Sequence, residues 1–461
     1  MSDSDGRSTN ELAGRRIVVL GAGVSGVSLA RLARRLGADV FLSDAGAISD
    51  EARDALLSAE VSFESEGHTD RVFQCDEVLV GSGFPPTAAI VSRVREKGLV
   101  LKGELDFVRP YLRGKLIGIT GSNGKTTTTS LAGYLLQSLG YRAPVAGNIG
   151  KPLADMAGID YDFIVAELSS FQLHWANACA LDGAVVTNLA PDHIDWHGSY
   201  ERYVQAKAKI FSFLREDGFG ILQKSDLGVL DSGGKTLYGL SWDEPDAELA
   251  VVLHRKRRSA RISHRELFHF SETNLLGAHN MENVAMAMAV IDLLGADVAA
   301  ARAKLADYVP PPHRCALVAE WKGVHYVDDS KGTNIAATVT ALSSIDGKKV
   351  IILGGKGKGE DYATLLEPLR AHARWAVLIG EESEKIASSL DAGEFHNYSR
   401  ASGMEEAVRL AADHASTGDV VLLSPACTSW DMYRNYGERG DHFAGIVKKM
   451  TGGTCDAHDG D

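Results

Sequence analysis

Short apolar runs recur along the chain, and each ends in a polar or glycine-rich segment. The first, residues 16–20, leads into Gly21-Ala22-Gly23-Val24-Ser25-Gly26 and then a helical pattern through Arg35. Runs at 39–42 and 77–80 follow, ending at Ser43-Asp44 and at Gly81-Ser82-Gly83. A boundary near 112–114 precedes a fresh run at 115–119, a polar loop, and an amphipathic helix to about Leu139. Further runs lie at 163–166 and 183–187. The apolar stretch 284–291, with Asp292 and Asp297 beyond it, reads as a core helix rather than a membrane segment. Pro310-Pro311-Pro312 stops helix and stiffens the chain, so it reads as a linker. Beyond it, runs at 325–327, 349–353, 376–379 and 420–423 are again followed by polar or glycine-rich segments. Strand-like runs alternating with helical stretches predict parallel strands joined by helical crossovers. Ligands of such sheets bind beyond the carboxyl ends of the strands, where these polar segments fall.

The 461 residues fit about three domains, and 45% hydrophobic with 24% charged residues is an ordinary globular balance. A net charge of -13 excludes the broad basic footprint of a nucleic-acid binder. It leaves anionic ligands open, because backbone dipoles at helix N-termini hold phosphate locally. The first fourteen residues lack the apolar core of a signal peptide, and both terminal stretches read as disordered. Five scattered cysteines without metal-type spacing fit a reducing cytoplasm.

The strongest local signal is Gly121-Ser122-Asn123-Gly124-Lys125-Thr126-Thr127, after a strand and opening a helix. Glycines let backbone amides wrap a polyphosphate, Lys125 reaches the outer phosphates, and Thr126 holds Mg²⁺. The generic pattern wants glycine at position 119, where this chain has Ile119. Gly21-x-Gly23-x-x-Gly26, with Asp44 closing the next run, fits a dinucleotide, another nucleotide's diphosphate, or tight strand–helix packing. Glu167 either ligates a metal or caps a helix with Ser169 and Ser170. Asp192-His193-x-Asp195-x-His197 suits a metal or acid–base role, although Mg²⁺ prefers oxygen to imidazole. Lys207 and Lys209 follow Tyr203 on a helix and, on pattern alone, face solvent. His279, Asn280 and Asn283 open a helix, where they bind an adenine or phosphate or merely cap. Lys331, Thr333, Lys358 and Ser429 follow third-block strands and suit carboxylate or phosphate recognition.

Together, GSNGKTTTT, AELSSFQL (166–173), NLAPDHID (188–195), GAHNMEN (277–283), PHR (312–314) and DDSKGTN (328–334) make the chain resemble the Mur ligase family over about residues 14–450. GNIG (147–150) and SPACTSWDMYRNYGERG (424–440) point to its glutamate-adding branch. The resemblance implies an α/β fold of three domains. These are a Rossmann-like UDP-substrate domain (1–113), a central P-loop-type ATP-binding domain (114–309) and a Rossmann-like, amino-acid-binding C-terminal domain (310–461). It implies an ATP- and Mg²⁺-dependent amide ligase joining D-glutamate to UDP-N-acetylmuramoyl-L-alanine through an acyl phosphate. It further implies a monomer in the cytoplasm, with small-molecule substrates, no nucleic acid and no membrane insertion.

By resemblance, ATP meets Gly121, Asn123, Gly124, Lys125, Thr126, Thr127, Asn280, Asn283, Arg314 and Asp329. Thr126, Glu167, His193 and an N-carboxylated Lys207 surround Mg²⁺. Lys125, His193 and Lys207 serve catalysis. Gly23, Ser25, Asp44 and Ser82 hold the UDP end, and Asn148 the muramoyl end. Lys331, Thr333, Lys358, Ser429, Trp430 and Tyr436 receive glutamate. Trp430 stands where relatives carry Leu or Phe, and Ala45-Gly46 lacks the Thr-Arg of some relatives. The rival readings are a sister ligase for another amino acid, an NAD-dependent oxidoreductase, and a non-catalytic nucleotide binder. The oxidoreductase leaves the Gly124-Lys125-Thr126 loop without a role.

Overall fold

The computed structural model describes residues 11–230, 234–245, 247–275 and 277–452. Of the two terminal stretches read as disordered, 1–14 and 451–461, residues 1–10 and 453–461, Cys455 among them, lie outside the described residues; the ordered chain reaches further than expected, since Leu12 is buried in a core and Thr451 ends helix Tyr436–Thr451. The described residues form two compact units. One takes those up to Leu189, with Trp196–Thr273 and Glu282–Tyr308; the other takes Ala190–Asp195, Asn274–Met281 and those from Val309 onward.

The first unit holds two sheets. In the smaller, five parallel strands run in the order Ser62–Glu64, Asp39–Ser43, Arg16–Leu20, Glu77–Val80, Val100–Gly103. Arg16–Leu20 is apolar on both faces because both are covered. Ile17 and Val19 join one core with Leu29 and Ala33, while Val18 and Leu20 join another with Ile90 and Val94. Chain order reverses between Arg16–Leu20 and Glu77–Val80, so the loops that follow them flank a switch point, the usual ligand position.

The larger sheet has nine strands. From Val145–Gly147 through Phe163–Glu167, Lys115–Thr120, Leu181–Val186, Leu214–Gln223 and Thr236–Trp242 to Ala250–His254, every pairing is parallel. Ser259–Ile262 and Arg265–His269 then add antiparallel strands. This edge departs from the all-parallel expectation. Its strands are short and interrupted by charge (Arg255–Arg258, Arg261, Arg265), so their buried alternation is weak in the sequence. Helix Ala278–Leu293 opens with polar His279, Asn280, Glu282 and Asn283, and its stretch Val284–Ile291 is apolar all round and wholly buried, as a core helix requires. Among the described residues no helix is long and apolar enough to cross a membrane.

The second unit holds six strands in the order Ala316–Trp321, Val324–Asp328, Val420–Leu423, Lys349–Gly354, Ala373–Ile379, Tyr398–Arg400. Only the first pairing is antiparallel. Alternate residues again feed two cores: Ile351, Leu353 and Leu422 on one face, Val350, Ile352 and Val421 on the other.

Candidate active site

The loop after Lys115–Thr120 is built by close approach. Gly121 (φ +146°) and Gly124 (φ +80°) adopt backbone forms that side chains disfavour, and a Cβ at either would overlap Thr187 Oγ1 or Asn283 Oδ1. Thr187 and Asn188, following Leu181–Val186, brace the loop. The Ser122 amide donates to Asn188 O (2.9 Å), and the Asn123 amide to Asn188 Oδ1 (2.9 Å). The Lys125 ammonium donates to the carbonyls of Gly121 and Ser122, both at 2.8 Å. Gly124 is the N-cap of helix Lys125–Ser138, a 14-residue helix whose first turn holds buried Thr126 and Thr127. The amides of its first turn and its dipole suit a phosphate.

Strand register brings Glu167 to this loop. Glu167 ends Phe163–Glu167, opposite Ile119 on one side and Gly147 on the other. Its carboxylate is 1% exposed and accepts from Thr126 Oγ1 (2.6 Å) and Asn148 Nδ2 (2.7 Å). Carboxylate, hydroxyl and amide groups are hard oxygen donors, so this set fits Mg²⁺. Lys207, on helix Tyr200–Ser212, is not on a solvated face. It is 1% exposed, donates to Gly121 O (2.8 Å) and Thr120 Oγ1 (3.2 Å), and lies 4.8 Å from the Tyr203 ring centre. Lys209 is likewise turned inward, onto the carbonyls of His174 and Ala176. The pattern misses this because a lysine reads as solvent-facing unless carbonyls are packed against it. Tyr203, not anticipated as a site residue, bonds Ser122 Oγ through its hydroxyl (2.8 Å). Asn283 accepts from Thr128 Oγ1 (3.3 Å).

The acid–imidazole run does not act as one cluster. His197 belongs to the first unit, buried among Phe171, Trp196 and Tyr203 and bonded to Ser170 Oγ (3.0 Å). Asp195 is exposed. Asp192 and His193 belong to the second unit, His193 in a left-handed conformation (φ 51°) with Nε2 3.6 Å from Asp192 Oδ2. Among the described residues no three His, Cys, Asp or Glu side chains are grouped to hold a metal.

In the first sheet, Gly26 carries the tight-packing reading: a Cβ there would overlap Gly21 O. Asp44 accepts from the amides of Ala22 and Gly46, so its carboxylate shapes the loop. Gly23 is exposed and Ser82 half-buried; Ser25 donates to Glu104 (2.8 Å). A cavity of about 700 Å³ opens here, lined by Ala22, Gly23, Asp44, Ser49, Ala52 and Asp155.

In the second unit, Asp192 gathers Asn334 Nδ2 (3.3 Å) and the Lys358 ammonium (3.7 Å). Burial pushes the neighbouring Glu360 carboxyl up to about 7, against the pull of Lys358. Lys331 lies 3.7 Å from the Tyr436 ring centre, and Thr333 donates its amide to Lys331 O. Ser429 is buried, whereas Trp430 is 69% exposed. Asp329 accepts from Ser424 Oγ (2.7 Å); burial pushes its carboxyl up to about 7, opposed by Ser424 and the nearby Arg314 charge. Asn280 is buried, its amide on Gly277 O. Two groups were not anticipated. Arg439 is fully buried and ties Ser330 to Cys427 and Thr428. His313 pairs with Asp328 (2.7 Å), which raises its pKa.

Residues 16–90 match the MurD N-terminal domain, 119–291 the Mur ligase middle domain, and 313–427 the Mur ligase glutamate ligase domain. The chain is 36% identical over 448 residues to a UDP-N-acetylmuramoylalanine–D-glutamate ligase of Acidobacterium capsulatum, covering 95% of this chain and 97% of the relative. It is also 36% identical over 449 residues to the ligase of that name from Pelotomaculum thermopropionicum, covering 95% and 98%. Among solved structures, UDP-N-acetylmuramate-alanine ligase MurC of Thermotoga maritima superposes with a TM-score of 0.59 at 17% identity, over 95% of this chain and 100% of that one. MurF ligase of Thermotoga maritima in complex with ADP gives 0.59 at 16%, over 90% and 95%.

Proposed function

The chain belongs to the Mur ligase family, and on that premise we propose that it joins D-glutamate to UDP-N-acetylmuramoyl-L-alanine at the expense of ATP. The observation that carries the reading is the glycine-built loop whose Thr126 hydroxyl meets a buried Glu167 carboxylate, within a chain matched along 95% of its length by D-glutamate ligases.

A carboxylate resists an amine because its oxygen leaves poorly. A substrate carboxylate oxygen therefore attacks the γ-phosphorus, the bond to the ADP oxygen breaks, and an acyl phosphate forms. The glutamate amine then adds to the acyl carbon, gives up a proton, and phosphate leaves with the shared oxygen. Phosphoryl transfer is chiefly positioning and charge neutralisation. The amides after Gly121 and the Lys125 ammonium hold the phosphates, and Asn280, Asn283, Arg314 and Asp329 the rest of the nucleotide. Thr126, Glu167 and Lys207, the last as a carbamate formed with carbon dioxide, would hold Mg²⁺. Bound there, Mg²⁺ supplies positive charge against the phosphate oxygens. His193 accepts the amine's proton or assists at the metal. Lys331, Thr333, Lys358 and Ser429 offer donors to the glutamate carboxylates, with Trp430 and Tyr436 beside them. Gly23, Ser25, Asp44, Ser82 and Asn148 serve the nucleotide-sugar substrate. The proposal includes domains at 1–113, 114–309 and 310–461 and a monomer in a reducing cytoplasm. The four described cysteines are free, and burial pushes Cys179 and Cys427 up to about 12, which fits inert thiols.

The test is phosphate release with ATP, Mg²⁺ and UDP-N-acetylmuramoyl-L-alanine, comparing D-glutamate, L-glutamate, meso-diaminopimelate and L-lysine. Release driven by D-glutamate is expected. Faster release with another acceptor refutes the assignment.

A further inference from the structure

The loops at the switch point of the first sheet and the Glu167 edge of the second lie in different sheets of one compact unit, and one buried carboxylate is among the groups that tie them together. Glu104 opens helix Glu104–Val108 and is 2% exposed. Its Oε2 accepts from Ser25 Oγ (2.8 Å) and Gln172 Nε2 (3.0 Å). Burial raises its pKa while these two donors oppose the rise. The donors come from two segments. Ser25 lies in the glycine-rich loop and first helical turn. Gln172 belongs to helix Ser170–Trp175, which begins three residues after Glu167 and is capped reciprocally by Ser169 and Gln172.

Two further contacts tighten the same junction. Gly103 allows backbone contact with that helix, since a Cβ there would stand 2.7 Å from Trp175 O. Trp175 Nε1 donates to Phe84 O (3.0 Å), in the loop that carries Ser82. Both loops assigned to the UDP end are thus bonded to the helix that follows Glu167, one of them through Glu104.

We propose that Glu104 is a positioning residue, holding the loops that seat the nucleotide-sugar substrate in register with the Asn148–Glu167 edge where phosphoryl transfer takes place. This rests on the functional reading above. Both bonds end on the carboxylate, so an apolar side chain of similar length removes them together.

Glu104→Met tests this. With the D-glutamate reaction as assay, kcat/KM for UDP-N-acetylmuramoyl-L-alanine is expected to fall by about 10²-fold, the scale of a small misplacement of reacting groups. Affinity for ATP alone, by equilibrium binding, is expected to stay within about threefold, because no partner of Glu104 touches the phosphate loop. A kcat/KM within about threefold of wild type overturns the proposal, and so does an equal loss of ATP affinity, which marks general loosening. Should Glu104→Met fail to fold, Gln172→Met breaks the helix link together with the Gln172 half of the cap, and is read against Ser169→Ala, which weakens the cap but keeps the link. A loss of about tenfold in the same parameter with ATP binding kept is then expected, and an unchanged kcat/KM overturns the idea. A wild-type protein inactive with every acceptor overturns the underlying functional reading instead, so the two failures are distinguishable.

Discussion

Lys125 gives its protons to two neutral carbonyls of its own loop. A phosphate offers charged oxygens, which make bonds roughly twice as strong, so the ammonium gains by turning to it. Lys125→Ala should cut kcat by about 10²–10³ while leaving the circular dichroism spectrum unchanged; wild-type turnover would remove Lys125 from the site. Lys207→Ala should lose activity and regain part of it with added acetate or formate if a carbamate is the working form. Asp329 titrates in a readable window. Its carboxyl is pushed from 3.8 up to about 7, mainly by burial, so the folded chain holds this proton more tightly than the unfolded one. The associated stability is complete below the unfolded value and is lost as pH rises toward the folded one. Asp329→Asn keeps a neutral group at all pH values. Its melting advantage over wild type should grow by roughly 2 kcal/mol between pH 5 and pH 8; an advantage that shrinks with pH would contradict this.

Helix Tyr436–Thr451 shows how one side chain organises two loops. The Arg439 guanidinium donates to Ser330 Oγ (2.9 Å), Ser330 O (2.8 Å), Cys427 O (3.1 Å) and Thr428 O (3.2 Å), and burial lowers its pKa to about 10. These loops carry Lys331 and Ser429. Lysine presents a point charge where a planar fork is needed and leaves buried carbonyls without donors, so Arg439→Lys should cost about 1–3 kcal/mol and raise KM for D-glutamate. Urea melts together with glutamate titrations check both effects. Most parallel strands were legible in the sequence: Arg16–Leu20, Glu77–Val80 and Val420–Leu423 match the apolar runs end to end. Such strands are buried on both faces and so leave continuous apolar runs. Ser259–Ile262 and Arg265–His269 were not legible, since an edge hairpin buries few positions and exposes arginines between them.

Across the chain, nucleotide binding couples to stability. A ligand that binds only the folded state stabilises it by about 2.7 kcal/mol at a concentration 100 times its Kd. Saturating ATP should therefore raise the thermal midpoint of the wild-type protein and leave that of Lys125→Ala nearly unmoved. An equal shift in both would mean that the nucleotide sits elsewhere. All three sheets present candidate residues at or beyond the carboxyl ends of their strands: Gly21–Gly26 in the first, Gly121–Thr126 and Glu167 in the second, Asp328–Thr333 and Ser429 in the third.

The linear chain already carried the α/β class, the phosphate loop and the family resemblance, because short-range sterics and continuous apolar runs are written locally. Glycine at 121 and 124 is visible in the sequence, but the need for it arises at Thr187 and Asn283, which are distant along the chain. Folding likewise turned Lys207 inward, buried His197 among aromatic rings, and set Glu104 between donors from two segments. Burial and hydrogen-bond partnership are properties of neighbours in space, and no spacing rule along one strand or helix encodes them.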